Sequence, residues 1–189
     1  MGPMPLTSPS EREPVHTRTI TCEGFEREDG LYDIDGWLTD TKSYAYTSTD
    51  RGEVSAGVPV HGMGLRLTID ATLTIRKVAA AMDYTPFNMC PSITPNFQRL
   101  VGLNLGRGFS GAVRQALGGT QGCVHLVDLL RPMATTAYQL LSPAGYQAFK
   151  DQEARGEPIK AFFLNQCHAW KSDGEVTREQ FPSLYTGKT

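Results

Sequence analysis

Four side chains of this sequence are the ones best suited to chemistry: His61, Cys90, Cys123 and His125. Thiolate and neutral imidazole suit zinc or iron better than magnesium. The same groups can also work without a metal, because imidazole exchanges protons near neutral pH and a thiol of lowered pKa is a nucleophile. His61 opens an alternating run, Val60-His61-Gly62-Met63-Gly64-Leu65-Arg66-Leu67-Thr68-Ile69-Asp70. His61, Met63, Leu65, Leu67 and Ile69 share one face of such a strand, and Gly62, Gly64, Arg66, Thr68 and Asp70 the other. The apolar face looks into a core, with a histidine at its margin. Cys123 and His125 follow Gly118-Gly119-Thr120-Gln121-Gly122 at the start of a helical stretch. Free amides and the helix dipole there favour negative charge and lower the pKa of a thiol.

Each candidate also has a plainer reading. An inward histidine is often a hydrogen-bonded core residue, and a cysteine is often a small buried hydrophobe. Cys90 gains interest only from its proline-bracketed segment, where a rigid turn can aim a side chain. Cys167-His168 stands beside Trp170, which speaks for packing as much as for chemistry, and Cys22 and His16 read as structural. Arg66 and Thr68 read as a solvated strand face, and Asp70 as the turn that follows it. The spacings match neither a paired Cys-x-x-Cys zinc ribbon nor His-Glu-x-x-His. Gly102-x-x-x-Gly106-x-Gly108 has no strand before it and no lysine after it, against a phosphate loop, and no Gly-x-Ser-x-Gly elbow occurs.

The elements that must hold these residues change character near Pro86. Before it the pattern is period two: a strand over 16–25, a second over 31–47 with a bulge expected at Gly36, and a turn-rich loop over 49–59. The strand at 60–70 follows, and another runs over 73–82. An antiparallel meander is expected. After it, Thr94-Pro95 caps a first helix and Phe109, Val113, Ala116 and Leu117 mark a second. Leu126, Leu129, Leu130, Met133, Ala137 and Leu140 mark a third, interrupted or restarted at Pro132. A fourth helix is expected from Ser142-Pro143 to about Gly156, then an extra strand at Ile159–Leu164 and an aromatic clasp over Phe181–Tyr185. The fold class is α+β, an antiparallel meander in the N-terminal half covered on one face by helices from the C-terminal half. Residues 1–14 read as a flexible arm, and 15–189 as one domain whose clasp begins near 157.

With 189 residues, 40 % hydrophobic and 20 % charged, the chain can bury a real core. Its net charge is −2 and no basic cluster is interleaved with aromatics, which argues against a nucleic-acid partner. No apolar run approaches the roughly twenty residues of a membrane span. The N-terminus has no basic start followed by an apolar core, so a cytoplasmic protein with reduced thiols is expected.

Several segments carry a specific resemblance: Cys22-Glu-Gly-Phe, Asp29-Gly30-Leu31-Tyr32-Asp33-Ile34-Asp35-Gly36, Pro59 through Asp70, Gly122-Cys123-Val124-His125-Leu126 and Ala134-Thr135-Thr136-Ala137. Over about residues 16–185 the chain resembles the bacterial domain-of-unknown-function family twenty-eight eighty-nine. That resemblance implies a genomic context of aromatic-acid and related catabolism. More distantly, the order of elements is similar to U-type iron–sulfur scaffold proteins. That likeness implies a scaffold-like fold, with His61-Gly62-Met63, Cys90, and Cys123 with His125 at its three ligand positions.

The expectation is therefore a small enzyme acting on an aromatic or related catabolic intermediate, a lyase (deformylation, decarboxylation or carbon–carbon cleavage) or a hydrolase. His61, His125 and Cys123 would be catalytic. A bound zinc or iron on His61, Cys90, Cys123 and His125 is one version, and a cofactor-free histidine base the other. The partner is a small-molecule substrate rather than nucleic acid or membrane, and a homo-oligomer is left open. The competing class is a non-enzymatic metal or iron–sulfur carrier, or a module that binds a small molecule.

Overall fold

Alternation of apolar residues builds four long strands. In the computed structural model, which describes residues 10–106, 108–159, 161 and 163–187, these are β1 (His16–Glu26), β2 (Tyr32–Lys42), β5 (Pro59–Ile69) and β6 (Ile75–Tyr84). A short hairpin, β3 (Tyr46–Ser48) and β4 (Gly52–Val54), lies between the second and third of them. The four long strands form one antiparallel sheet in the order β1-β2-β5-β6. Ile34 and Leu38 of β2, Met63, Leu65, Leu67 and Ile69 of β5, and Ile75 and Val78 of β6 are buried on a common core. A 3₁₀ segment (Cys90–Leu100) follows the sheet, then α1 (Phe109–Leu117) and α2 (Val124–Ala154). Phe97, Leu100, Phe109, Val113 and Leu117 close the core from the first two, and Leu126, Leu129, Leu130, Met133 and Ala137 from α2. The α+β meander with helices following the sheet is the architecture expected from the change of period.

Close approach explains two glycines. A Cβ at Gly36 would lie 2.6 Å from Sδ of Met133, so α2 reaches the sheet through the gap that glycine leaves. Consequently β2 is not bulged at Gly36, which pairs regularly with Cys22 and Leu65. On the opposite face the Trp37 ring covers Gly64, where a Cβ would also meet the Gly36 carbonyl oxygen at 2.8 Å. The irregularity in the β2–β5 ladder falls instead between Asp40 and Thr41, opposite His61 and Pro59. Extra residues of this kind often re-aim side chains beside a site.

Further expectations are corrected. The strand expected over 31–47 ends at Lys42, and Tyr46–Ser48 pairs with Gly52–Val54 in a hairpin that takes in part of the loop expected over 49–59. The first helix is 3₁₀ throughout, and the third and fourth are one helix of 31 residues that runs through Pro132 and Pro143. The strand expected at Ile159–Leu164 includes Lys160 and Phe162, which lie outside the described residues, and its described residues are not extended in a strand. Asp70 does serve the turn before β6: its carboxylate accepts from the Thr72 and Thr74 amides, the Thr72 hydroxyl and Arg76. Those bonds hold its pKa at about 2.

The contacts divide the chain into two units, 1–138 and 139–189. The second has its own small core. Phe181 is fully buried there, with the rings of Tyr146, Phe163 and Trp170 centred 5.4, 5.5 and 6.0 Å from it. Phe181, at the centre of this cluster, begins the segment read as an aromatic clasp. Cys167 and His168 stand in an exposed turn of this unit, and α3 (Glu175–Gln180) precedes Phe181.

Candidate active site

Antiparallel register alone brings three polar residues into one row. Arg18 of β1 lies opposite Asp40 of β2, and Asp40 lies opposite His61 of β5. Period two puts all three on the core-facing side, at the end of the sheet where the apolar alternation stops. Asp40 is 1 % exposed, so its carboxylate must find partners among the protein's own donors. It finds four. Arg18 donates from Nε to Oδ1 and from Nη2 to Oδ2, both at 2.8 Å. His16 Nε2 lies 3.0 Å from Oδ1, and His61 Nδ1 lies 3.0 Å from Oδ2.

The row is completed from above by α2. His125 stands in its first turn, and its ring centroid is 3.8 Å from that of His61 with the planes 37° apart. Arg18 Nη2 donates to His125 Nδ1 at 2.8 Å, and Nη1 donates to Asp128 at 3.1 Å. Positions 125 and 128 are three apart on one face of the helix, so a single guanidinium spans both.

Electrostatics divides the labour among these groups. Burial works to raise the pKa of Asp40, but bonds from Arg18, His16 and His61 outweigh it and hold the carboxyl at about 2. Arg18 is raised, first by its bonds to Asp40. His61 is lowered by burial and by the neighbouring His125, against the opposing pull of Asp40. His125 is lowered by burial and by the Arg18 charge. Both imidazoles are therefore biased to the neutral form at pH 7, and their hydrogen-bond partners determine their tautomers. An ionised carboxylate only accepts, so His61 carries its proton on Nδ1 and leaves the Nε2 lone pair open. A guanidinium only donates, so His125 accepts at Nδ1 and carries its proton on Nε2.

Among the described residues, Asp40, His61 and His125 are the one group of three or more His, Cys, Asp or Glu with ligand atoms all within 4.8 Å. The expected four-residue set of His61, Cys90, Cys123 and His125 thus comes together only in its two histidines. Cys90 begins the 3₁₀ segment and Cys123 precedes α2, where its carbonyl accepts from Val127 rather than its thiol joining the cluster. Cys22 points at the same helix: burial raises its pKa against a hydrogen bond with Thr136. Asp40 and Arg18 are what the sequence reading missed, and His16, read as structural, is a partner of Asp40. The available signal was the phase of β2: Ile34, Gly36 and Leu38 lead on the same face to a carboxylate.

Residues 16–139 match the family described as Protein of unknown function (DUF2889). The chain belongs to that family. Every group of the site, from His16 to Asp128, lies inside the matched segment. No curated protein and no solved structure matches the chain, and the likeness to iron–sulfur scaffolds is not shown. No helix among the described residues is long and apolar enough to cross a membrane.

Proposed function

We propose that this DUF2889 protein is an enzyme in which His61 acts as a general base on a small catabolic intermediate, aromatic or related, in a lyase or hydrolase reaction. The observation that carries this reading is the Asp40–His61 pair. A buried carboxylate, ionised far below neutral pH, fixes the proton of His61 on Nδ1 and presents Nε2 as a base. This is the same division of roles by which a carboxylate orients a catalytic imidazole in hydrolytic triads, although no hydroxyl or thiol nucleophile is hydrogen-bonded to His61 among the described residues. That favours proton removal from substrate carbon or from water over attack by a protein nucleophile.

A second reading, a zinc or iron site, draws on the grouping of Asp40, His61 and His125. Arg18 weighs against it. The guanidinium occupies both Asp40 oxygens and His125 Nδ1, so a cation on all three side chains would have to displace a fixed positive charge. The cysteines that would soften the donor set are not in the cluster.

The test is turnover of a panel of aromatic and short aliphatic acids, and their esters and aldehydes, followed by mass spectrometry. The wild-type protein and His61→Ala are compared in chelator and with added zinc or ferrous iron. Conversion by the wild type in chelator, lost in His61→Ala, supports the base. Conversion that appears only with metal supports the second reading.

A further inference from the structure

We infer that His125 is the hydrogen-bond donor paired with the His61 base, and that Arg18 is the positioning residue that makes it one, for substrates that lose a proton from carbon beside a carbonyl group. This rests on the reading of His61 as a base and extends it to the second imidazole. The two ring centroids are 3.8 Å apart with the planes tilted by 37°, yet their outer nitrogens have opposite character. One is a lone pair because Asp40 accepts at the inner nitrogen of His61; the other is an N–H because Arg18 donates at the inner nitrogen of His125. Had both histidines faced carboxylates, both outer nitrogens would be bases. The difference is built by a residue that cannot be deprotonated and therefore cannot reverse its role.

An adjacent base and donor fit two neighbouring atoms of one small molecule. The Cα–H bond of the substrate breaks and its proton goes to His61 Nε2. The bonding pair forms a carbon–carbon double bond as the carbonyl pair moves to oxygen. His125 Nε2–H donates a hydrogen bond to that enolate oxygen and keeps its proton. A neutral imidazole is the right donor for this, since it stabilises an oxyanion without competing for the proton. Arg18 behind His125 polarises the ring and makes its N–H a better donor. Return of the proton from His61 closes the cycle, so in heavy water the carbon acquires deuterium even where no net reaction follows.

The experiment uses the full chain with ¹⁵N-histidine, whose long-range couplings distinguish protonated from unprotonated ring nitrogens. In the wild type near pH 7.5, His61 is expected as the Nδ1–H tautomer and His125 as the Nε2–H tautomer. A wild-type His125 with its proton on Nδ1 overturns the inference without any variant. In Arg18→Met the fixed tautomer of His125 is lost while His61 keeps its own through Asp40; unchanged His125 couplings in a folded variant also overturn it. The second arm follows deuterium entry into C3 of phenylpyruvate and 2-oxobutyrate. Entry above the buffer rate, reduced roughly ten- to a hundredfold in Arg18→Met, supports the substrate class, and no entry with either probe overturns it. The two readings fail separately. Correct tautomers with turnover indifferent to His61→Ala would sink the base and leave the Arg18 assignment standing.

Discussion

Replacing Asp40 by asparagine separates the stability role of the carboxylate from its chemical role. The group is 1 % exposed, and its pKa falls from the ordinary 3.8 to about 2 on folding. At ~1.4 kcal/mol per pH unit, that shift corresponds to about 2–3 kcal/mol of stability. Because the folded value is the lower one, the contribution is complete above the unfolded pKa near 4 and is lost as pH falls through 2. The amide also turns an N–H toward either Arg18 or His61 Nδ1, each already a donor in the wild type. Its expected cost at pH 7 is therefore about 2–3 kcal/mol, somewhat below the usual loss of a fully buried pair because Arg18 is 34 % exposed and retains Asp128. Urea unfolding of both proteins from pH 7 to pH 2 reads this directly. The gap between them should hold to about pH 5 and close toward pH 2, the other carboxylates cancelling in the comparison. Proton exchange at substrate carbon should fall by roughly 10³–10⁴, because His61 then carries its proton on the wrong nitrogen. A gap that does not narrow with acid, or full exchange activity in a folded variant, would refute the assignment.

Other expectations follow from the same geometry. Gly64→Ala should destabilise by about 1–3 kcal/mol, with a change in Trp37 fluorescence, since its Cβ meets the Trp37 ring and the Gly36 carbonyl; a melting curve unchanged from wild type would contradict the close approach. The acid limb of the pH–rate profile should have its inflection below the ordinary histidine value of 6.5, because burial and the neighbouring charges lower His61. Protonation of His61 removes the base, so activity is lost as pH falls through that inflection, and a limb above 6.5 would be inconsistent. Cys90→Ser and Cys123→Ser should keep their activity with or without chelator, since neither thiol joins the three-residue cluster; loss of activity in a folded serine variant would restore the thiols to the site.

The meander and two of the three clustered residues, His61 and His125, were legible because they rest on local rules. Period two in 60–70 set the phase of His61, and the helical start at Gly122 placed His125 above the sheet. The rest needed register. Asp40 lies at the end of a strand whose length could not be read from composition, and only its pairing opposite both Arg18 and His61 shows that it is buried among donors. Arg18 has no local signal, since its partners Asp40, His125 and Asp128 come from β2 and α2. The cysteines misled because thiol chemistry is scarce enough to draw notice in a sequence, whereas a carboxylate becomes unusual only once it is buried. Pro132 was read as an interruption and Ser142-Pro143 as the start of a new helix, yet tertiary packing of the Leu126–Ala137 face carries α2 through Pro132.

The row of Arg18, Asp40 and His61 also fixes an order of assembly. Sequence separations of 22 and 21 residues join these three through neighbouring strands, whereas Arg18 reaches His125 across 107. Loop closure for the strand pairs requires less ordering, and short-range pairings of this kind form early in folding. His61 thus acquires its tautomer with the sheet, and His125 acquires its own only when α2 docks. Pulse-labelled hydrogen exchange during refolding should protect β2 and β5 before the first turns of α2, and the reverse order would contradict it. A chain caught between those stages holds His61 already oriented by Asp40 but without His125 beside it, so the fixed tautomer of His125 reports that the last long-range contact has closed.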